Sequence, residues 1–222
     1  MSFVITIDGP AASGKSSVSR ELAKRLDCDW VSTGSFYRGL AYVARETNAN
    51  LENEAEIADL AKSPIWKVEV APEKTHVVFN GADVTEEAHK ESVGLIASKI
   101  SQYPTVRKML LGAQRDCQSP RGLVAEGRDC GSVVFPQAEL KIYLDADSEN
   151  RALRRAQQAG TSAHEIEKQQ KVRDNQDLTR AVAPLMAPEG AHIIDTSTMS
   201  LMEVVNHIEV LARDIIPRFK SL

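Results

Sequence analysis

A glycine-rich stretch that follows the first apolar run constrains the fold of this chain more than any other feature. Residues 9–16 have the sequence GPAASGKS, which matches the pattern G-x-x-x-x-G-K-[ST]. The β-branched apolar run from Phe3 to Asp8 predicts a buried strand, and the residues after Lys15 change to a helical period. A strand, a glycine-rich turn and a helix in this order open a βαβ unit, so the sequence predicts a parallel sheet.

The residue types in this loop can each be explained by phosphate binding. The glycines allow the backbone to wrap so that several N–H groups point inward as an anion nest, and the following helix adds its N-terminal dipole. Lys15 can reach the β- and γ-phosphates, and the Ser16 hydroxyl can ligate Mg²⁺. The motif therefore predicts a nucleoside triphosphate site. Its candidate residues are Gly9, Pro10, Ala11, Ala12, Ser13, Gly14, Lys15, Ser16 and Ser17.

The remainder of the chain alternates strands and helices, with one interruption. The segments DWVSTG, GLVAEG, LKIYLDAD and AHIIDTS predict four more strands, with amphipathic helices between them. Between Ile65 and about Thr85, two-residue alternation and an Asn80-Gly81 turn predict an inserted antiparallel hairpin. The segment EEAHKESVGLIASKISQ predicts one helix that leads out of the insert, and Pro104 marks the start of the next helix. The predicted class is α/β, with three layers (α/β/α) around a central parallel sheet.

Composition excludes several classes of function. A net charge of −4 gives no global basic field for nucleic acid, and no apolar run is long enough to span a membrane. No secretory signal is visible at the start of the chain. The odd number of cysteines (Cys28, Cys117 and Cys130) has no metal-ligand spacing, which is typical of free thiols in a reducing cytoplasm.

Arginines outside the loop, together with the strings that the chain lacks, indicate which class of nucleotide-binding protein this is. The GTPase strings N-K-x-D and D-x-x-G do not occur in the chain. Arginines instead follow the predicted strands, where open α/β sheets bind their ligands. Any one of them could lie on a solvated helix face, but as a group they suit two phosphorylated substrates that face each other. They are Arg38, Arg107, Arg128, Arg151, Arg154, Arg155, Arg173 and Arg180.

Several longer motifs resemble those of the bacterial cytidylate kinases, which belong to the nucleoside monophosphate kinases of the P-loop class. The most specific are EGRDCGSVVFP and RDNQDLTRAVAPL, and others are TIDGPAASGKSS, STGSFYR, SQYPTVR, KIYLDAD and RALRR. They occur in family order from Thr6 to Leu185. The resemblance implies ATP-dependent phosphorylation of CMP and dCMP with Mg²⁺. It implies a single domain whose core spans about 1–62, 106–147 and 172–222, with a monophosphate-binding insert over about 63–105 and a helical lid over about 148–171.

The resemblance also assigns roles to individual residues. Thr33, Arg38 and Arg128 would hold the CMP phosphate, and Ser98, Arg107 and Asp129 would contact the cytosine. Arg173, Asp177 and Arg180 would lie near the sugar and the transferring phosphate, although their spacing also fits a surface ion-pair ladder. Arg151, Arg154 and Arg155 would close over ATP from the lid. The implied catalytic set is Lys15, Arg128, Arg151, Arg155 and Arg180.

The chemistry of cytosine agrees with the assigned trio. Its exocyclic amine is a donor that a carboxylate such as Asp129 accepts, and its N3 and O2 are acceptors suited to Arg107 and the Ser98 hydroxyl. Uracil carries a carbonyl in place of the amine, so Asp129 would face an acceptor. A buried polar group left unpaired costs about 1–3 kcal/mol, which is enough for clear discrimination.

Two positions depart from the family pattern at the predicted metal site. Ser32 stands where the family often has an acidic residue, and Glu126 stands where it usually has aspartate. Both positions could place Mg²⁺ through water. Cys130 replaces an apolar residue, and its predicted role is packing.

Two alternatives stay open beside the CMP kinase hypothesis. One is a P-loop kinase for UMP, AMP or a non-nucleotide acid, and the other is a nucleotide-dependent binding protein with slow or no turnover. The leading hypothesis expects a cytoplasmic monomer whose partners are ATP and CMP or dCMP, without nucleic acid or membrane.

Overall fold

The architecture is given by a computed structural model that describes residues 2–71, 74–147, 150–151, 175–179 and 182–219. Five parallel strands form the central sheet in the order β2-β6-β1-β7-β8. They are β1 (Val4–Asp8), β2 (Asp29–Ser32), β6 (Leu123–Gly127), β7 (Leu140–Asp145) and β8 (His192–Asp195). Three further strands, β3 (Trp66–Ala71), β4 (Lys74–Phe79) and β5 (Ala82–Asp83), form a separate antiparallel sheet.

Helices cover both faces of the parallel sheet, which confirms the three-layer prediction. Ile5 and Ile7 of β1 pack into one core with Val18 and Leu22, and Val4 packs into the second core on the other face. The helices are α1 (Lys15–Arg25), α2 (Gly34–Glu46), α3 (Glu54–Ala61), α4 (Thr85–Ala88), α5 (Glu91–Ile100), α6 (Pro104–Arg115) and α7 (Leu201–Ile215). The first core joins α1 and α7 to the sheet, and the second joins α2, α3, α5 and α6.

Strand register brings polar residues together at the carboxyl edge of the sheet. Asp8 at the end of β1 pairs with Gly127 at the end of β6, and Ser32 at the end of β2 pairs with Glu126. All strands in this sheet are parallel, so the segments that follow β1, β2 and β6 leave from the same edge. This edge is therefore the place where the predicted site residues can meet.

The inserted antiparallel hairpin is confirmed. Phe79 pairs with Ala82, and the two residues between them, Asn80 and Gly81, have φ values of 48° and 81°. Positive φ at both central residues is the condition for a tight two-residue hairpin turn, which explains the Asn-Gly sequence. The Thr75 hydroxyl accepts a hydrogen bond of 3.1 Å from the backbone N–H of Ser32, so the insert is attached directly to the carboxyl edge of the central sheet.

The helix predicted after the insert is divided in two, contrary to the sequence prediction. The structure ends α4 at Ala88 and begins α5 at Glu91. Lys90, between them, has an extended backbone with φ −58° and ψ 151°, which an α-helix cannot contain. A π-helical turn at Cys130–Val134 was also not predicted. Its first N–H groups bind the Asp8 carboxylate, which is a tertiary contact and leaves no local signal.

Part of the predicted helical lid lies outside the described residues. After the lid, residues 175–179 are described and are helical. Within the described ranges, no helix is long and apolar enough to cross a membrane.

Candidate active site

A cleft of about 820 Å³ opens at the carboxyl edge of the central sheet. The glycine-rich loop from Ala11 to Ser17 lines it, as do residues 126–129 at the end of β6. Arg38 of α2 and Ser98 of α5 line it as well. The cleft is therefore large enough for two ligands to meet inside it, one at the glycine-rich loop and one at α2 and α5.

The glycine-rich loop wraps as the sequence predicts. Gly9 has φ 150°, and a Cβ atom at this position would lie 2.1 Å from the carbonyl oxygen of Leu144, so only glycine allows this close approach. The Lys15 ammonium turns back over the loop and donates to the Pro10 carbonyl at 2.5 Å and to Ser13 Oγ at 3.4 Å. Burial, and then the nearby Arg128 guanidinium, lower the pKa of Lys15 to about 7. The charge of this lysine is thus poorly compensated until an anion enters the loop.

A carboxylate flanked by two hydroxyls lies beside the loop. Glu126 Oε1 accepts hydrogen bonds from Ser16 Oγ at 3.0 Å and from Ser32 Oγ at 2.5 Å. Where the family pattern often has a second acid, Ser32 therefore binds and orients the single carboxylate. A hydroxyl and a carboxylate oxygen side by side are a donor set that suits Mg²⁺. Among the described residues, no group of three His, Cys, Asp or Glu side chains could hold a metal, so the nucleotide or water would complete the coordination.

The three residues predicted to hold the acceptor phosphate all line the cleft. Thr33 Oγ1 donates to the Glu126 carbonyl at 2.9 Å, which joins the end of β2 to β6. Arg38 donates to the carbonyls of Ala88 and Lys90 at 3.2 and 3.4 Å, in the break between α4 and α5. Arg128 Nε donates to Asp177 Oδ2 at 2.8 Å. The guanidinium groups of Arg38 and Arg128 are thus held at the cleft by different parts of the chain.

His89, beside Arg38, is uncharged near neutral pH. Burial, and then the Arg38 charge, lower its pKa to about 4. Positive charge at this side of the cleft therefore comes from the arginines.

The predicted base-contacting residues also meet, but they bind one another and the segment 175–179. Arg107 forms a buried ion pair with Asp129 and donates to the Ser101 carbonyl at 3.2 Å. Its guanidinium carbon lies 5.5 Å from the centre of the Tyr37 ring. Ser98 Oγ donates to Gln176 Oε1 at 2.6 Å. Ser98 and Asp129 line the cleft, whereas Arg107 lies behind Asp129.

Arg151, which the resemblance assigns to closure over ATP, contacts the glycine-rich loop in this structure. Its buried guanidinium donates to the Ala146 carbonyl at 3.1 Å and to the Ala11 carbonyl at 2.9 Å. In this structure the side chain therefore ties the glycine-rich loop to the end of β7 and does not line the cleft. Arg154, Arg155, Arg173 and Arg180 lie outside the described residues.

Two residues at the site were not predicted from the sequence. The buried Asp8 carboxylate accepts hydrogen bonds from the N–H groups of Cys130 at 2.8 Å and Gly131 at 2.7 Å, and burial raises its pKa to about 6. A polar residue at the end of an apolar strand was the signal for it. The second residue is Gln176, whose partner Ser98 lies 78 positions away, so no local pattern could identify it.

Comparison with known protein sequences identifies one family. The family model described as cytidylate kinase matches residues 5–214. A cytidylate kinase from Bdellovibrio bacteriovorus is 54% identical over 209 residues, which are 94% of this chain and 96% of that protein. A cytidylate kinase from Aeromonas salmonicida is 40% identical and covers 92% of this chain and 91% of its own. Among solved structures, a shikimate kinase from Bacteroides thetaiotaomicron has a TM-score of 0.47 at 10% identity, with 94% of this chain and 97% of that chain covered.

Proposed function

The chain belongs to the cytidylate kinase family and phosphorylates CMP and dCMP with ATP, and we propose that the transfer is in line and takes place in the cleft at the carboxyl edge of the sheet. The observation that carries this proposal is the shared cleft. Lys15 and Ser16 of the glycine-rich loop line it together with Ser98 and Asp129. Two nucleotides can therefore bind with their phosphates facing each other, which is the arrangement that phosphoryl transfer requires.

The glycine-rich loop binds the ATP phosphates in this proposal. Its N–H groups and the N-terminus of α1, which begins at Lys15, provide donors and a positive dipole. Lys15 leaves the Pro10 carbonyl and binds the β- and γ-phosphate oxygens. The anionic phosphates favour the protonated amine, so binding of ATP restores the charge that burial disfavours.

Mg²⁺ fits the donor set beside the loop. The Ser16 hydroxyl would be the protein ligand, and Glu126, oriented by Ser32, would bind the ion or its water. When bound, Mg²⁺ neutralises charge on the β- and γ-phosphate oxygens. Where the family often carries a second acid, this chain has the uncharged hydroxyl of Ser32.

Thr33, Arg38 and Arg128 bind the phosphate of the acceptor. Arg38 exchanges two backbone carbonyls for phosphate oxygens, and a guanidinium binds such oxygens in a bidentate manner. Arg128 and its partner Asp177 lie side by side, so the carboxylate of Asp177 can accept from the ribose hydroxyls while Arg128 holds the phosphate.

Asp129 distinguishes cytosine from uracil in this proposal. Asp129 lines the cleft, and its carboxylate oxygens, one of which accepts from Arg107, are hydrogen-bond acceptors suited to a base. The amine of cytosine donates to them, whereas the carbonyl of uracil cannot. Arg107 also orients the carboxylate, since their ion pair is buried on both sides.

The remaining assignments rest on the family resemblance alone. Arg151, Arg154 and Arg155 would close over ATP, and Arg173 and Arg180 would lie near the sugar and the transferring phosphate. The core would span about 1–62, 106–147 and 172–222. The monophosphate-binding insert would span about 63–105, and the lid about 148–171. We also propose that the enzyme is a monomer in the cytoplasm, where ATP and CMP are available.

A coupled ADP-release assay with a panel of acceptors tests the proposed function. We expect rapid ADP release from Mg²⁺-ATP with CMP and dCMP, and rates at least about tenfold lower with UMP, because its carbonyl faces Asp129. AMP, GMP and a reaction without acceptor serve as controls. Equal rates with CMP and UMP would remove Asp129 as the discriminating residue, and no dependence on any acceptor would contradict the kinase assignment.

A further inference from the structure

A hydrogen bond connects the cleft to a residue that the sequence did not single out. Ser98 Oγ donates its proton to Gln176 Oε1 at 2.6 Å, which joins α5 to the helical segment 175–179. Ser98 lines the cleft, and both side chains are partly buried. The orientation of the Ser98 hydroxyl is therefore set by Gln176.

This orientation decides what the hydroxyl offers to a ligand. A serine hydroxyl has one proton and two lone pairs. With the proton given to Gln176, Ser98 can only accept hydrogen bonds from a ligand in the cleft. The sequence predicts that the hydroxyl donates to an acceptor of the cytosine ring, whereas in the structure it can only accept from the ligand.

We propose that Gln176 is a specificity-determining positioning residue, which holds the Ser98 proton so that Ser98 accepts from the exocyclic amine of the acceptor base. The inference rests on the proposed function, in which Ser98 faces the base. Arg107 links the two residues, because it pairs with Asp129 and donates to the carbonyl of Ser101, whose hydroxyl donates to the carbonyl of Ser98. Ser98 and Asp129 both line the cleft, so they present two acceptors there. Cytosine satisfies both with its amino group, whereas uracil brings a carbonyl toward two further acceptors.

The segment that carries Gln176 is fixed well enough to impose this orientation. The neighbouring Asp177 is buried and its carboxylate accepts from Arg128 Nε at 2.8 Å. The backbone carbonyl of Asp177 also accepts from the N–H of Leu185 at 2.8 Å. Two contacts on the adjacent residue thus limit how far the Gln176 amide can move.

The test compares two replacements of Gln176 that differ in one property. Gln176→Met keeps the approximate size but removes the acceptor, so the Ser98 proton is free to turn toward the carbonyl of uracil. We expect the ratio of kcat/KM for CMP to that for UMP to fall about tenfold, through a lower KM for UMP. Gln176→Glu keeps an acceptor for the Ser98 proton, so the ratio should stay within about twofold of the natural protein.

Two controls separate this effect from a general change in the segment. The first control is Leu178→Ala, because Leu178 lies in the same segment and is 55% exposed. This variant should leave the ratio unchanged. In a Ser98→Ala background, Gln176→Met should cause no further fall, because the hydroxyl that it orients is gone. A fall of similar size in that background would assign the effect to something other than Ser98 and overturn the inference.

The outcomes for the inference and for the proposed function are distinct. An unchanged ratio in Gln176→Met, with CMP turnover still present, would overturn the role of Gln176 alone. An equal fall of the CMP to UMP ratio in Gln176→Glu and Gln176→Met would also overturn the role of Gln176. No turnover of CMP by the natural protein would contradict the proposed function itself.

Discussion

Lys15→Met should lower the rate of phosphoryl transfer to CMP by about a thousandfold while the protein stays folded. The variant removes the ammonium that would bind the β- and γ-phosphate oxygens as charge develops between donor and acceptor. Stability should change little, because Lys15 is 5% exposed and its burial already disfavours the charge. Methionine has a similar length and places no charge in this environment. Single-turnover kinetics with Mg²⁺-ATP and CMP measure the rate, and thermal unfolding followed by circular dichroism measures the fold.

The matched control is Lys24→Met, which makes the same substitution at an exposed position of the same helix. It should leave both the transfer rate and the unfolding temperature close to those of the natural protein. Transfer by Lys15→Met at more than about a tenth of the natural rate would mean that the glycine-rich loop does not hold the phosphates of ATP in the proposed way.

Asp129→Asn should exchange the base preference of the enzyme. The single amide oxygen keeps Arg107 as its partner, so the NH2 donor faces the base. This donor matches the carbonyl of uracil and opposes the amine of cytosine. We expect kcat/KM for CMP to fall about a hundredfold, and kcat/KM for UMP to rise or stay constant. The affinity for ATP should change by less than about threefold, because in the proposal Asp129 contacts the acceptor base and not the phosphates of ATP.

Asparagine is preferred to alanine at this position for a physical reason. Arg107 is buried and paired with Asp129, so Asp129→Ala would leave its guanidinium without that partner, which costs about 3–5 kcal/mol in buried pairs. Asp116→Asn, at an exposed position after α6, is the control for the substitution itself. Losses of similar size for CMP turnover and ATP affinity in Asp129→Asn would contradict the assigned role of Asp129.

Local sequence signals were sufficient for most of the fold. The β-branched run before Gly9, the helical period after Lys15 and the Asn80-Gly81 turn each depend on residues that are adjacent in the chain, and each prediction is confirmed. The break between α4 and α5 and the π-helical turn after Asp129 depend on other interactions. The π-helical turn is bound by the carboxylate of Asp8, more than 120 residues away, so its own residues carry no sign of it.

The same distinction holds at the site. The phosphate loop could be identified from eight consecutive residues, and strand ends indicated where Arg38 and Arg128 would lie. The hydrogen bonds of both Ser16 and Ser32 to the Glu126 carboxylate could not be predicted, because Ser32 reaches Glu126 only through the pairing of β2 with β6. The polarity of Ser98 likewise depends on Gln176, a partner that chain folding supplies.

Transfer to CMP can be measured by following the γ-phosphoryl group itself. ATP labelled with ³²P at the γ-position is incubated with the enzyme, Mg²⁺ and CMP, and the labelled products are separated. We expect label in CDP, in equal amount to the ADP formed, and almost none in inorganic phosphate. Label found only in inorganic phosphate, or left in ATP, would mean that the enzyme does not transfer the group to CMP.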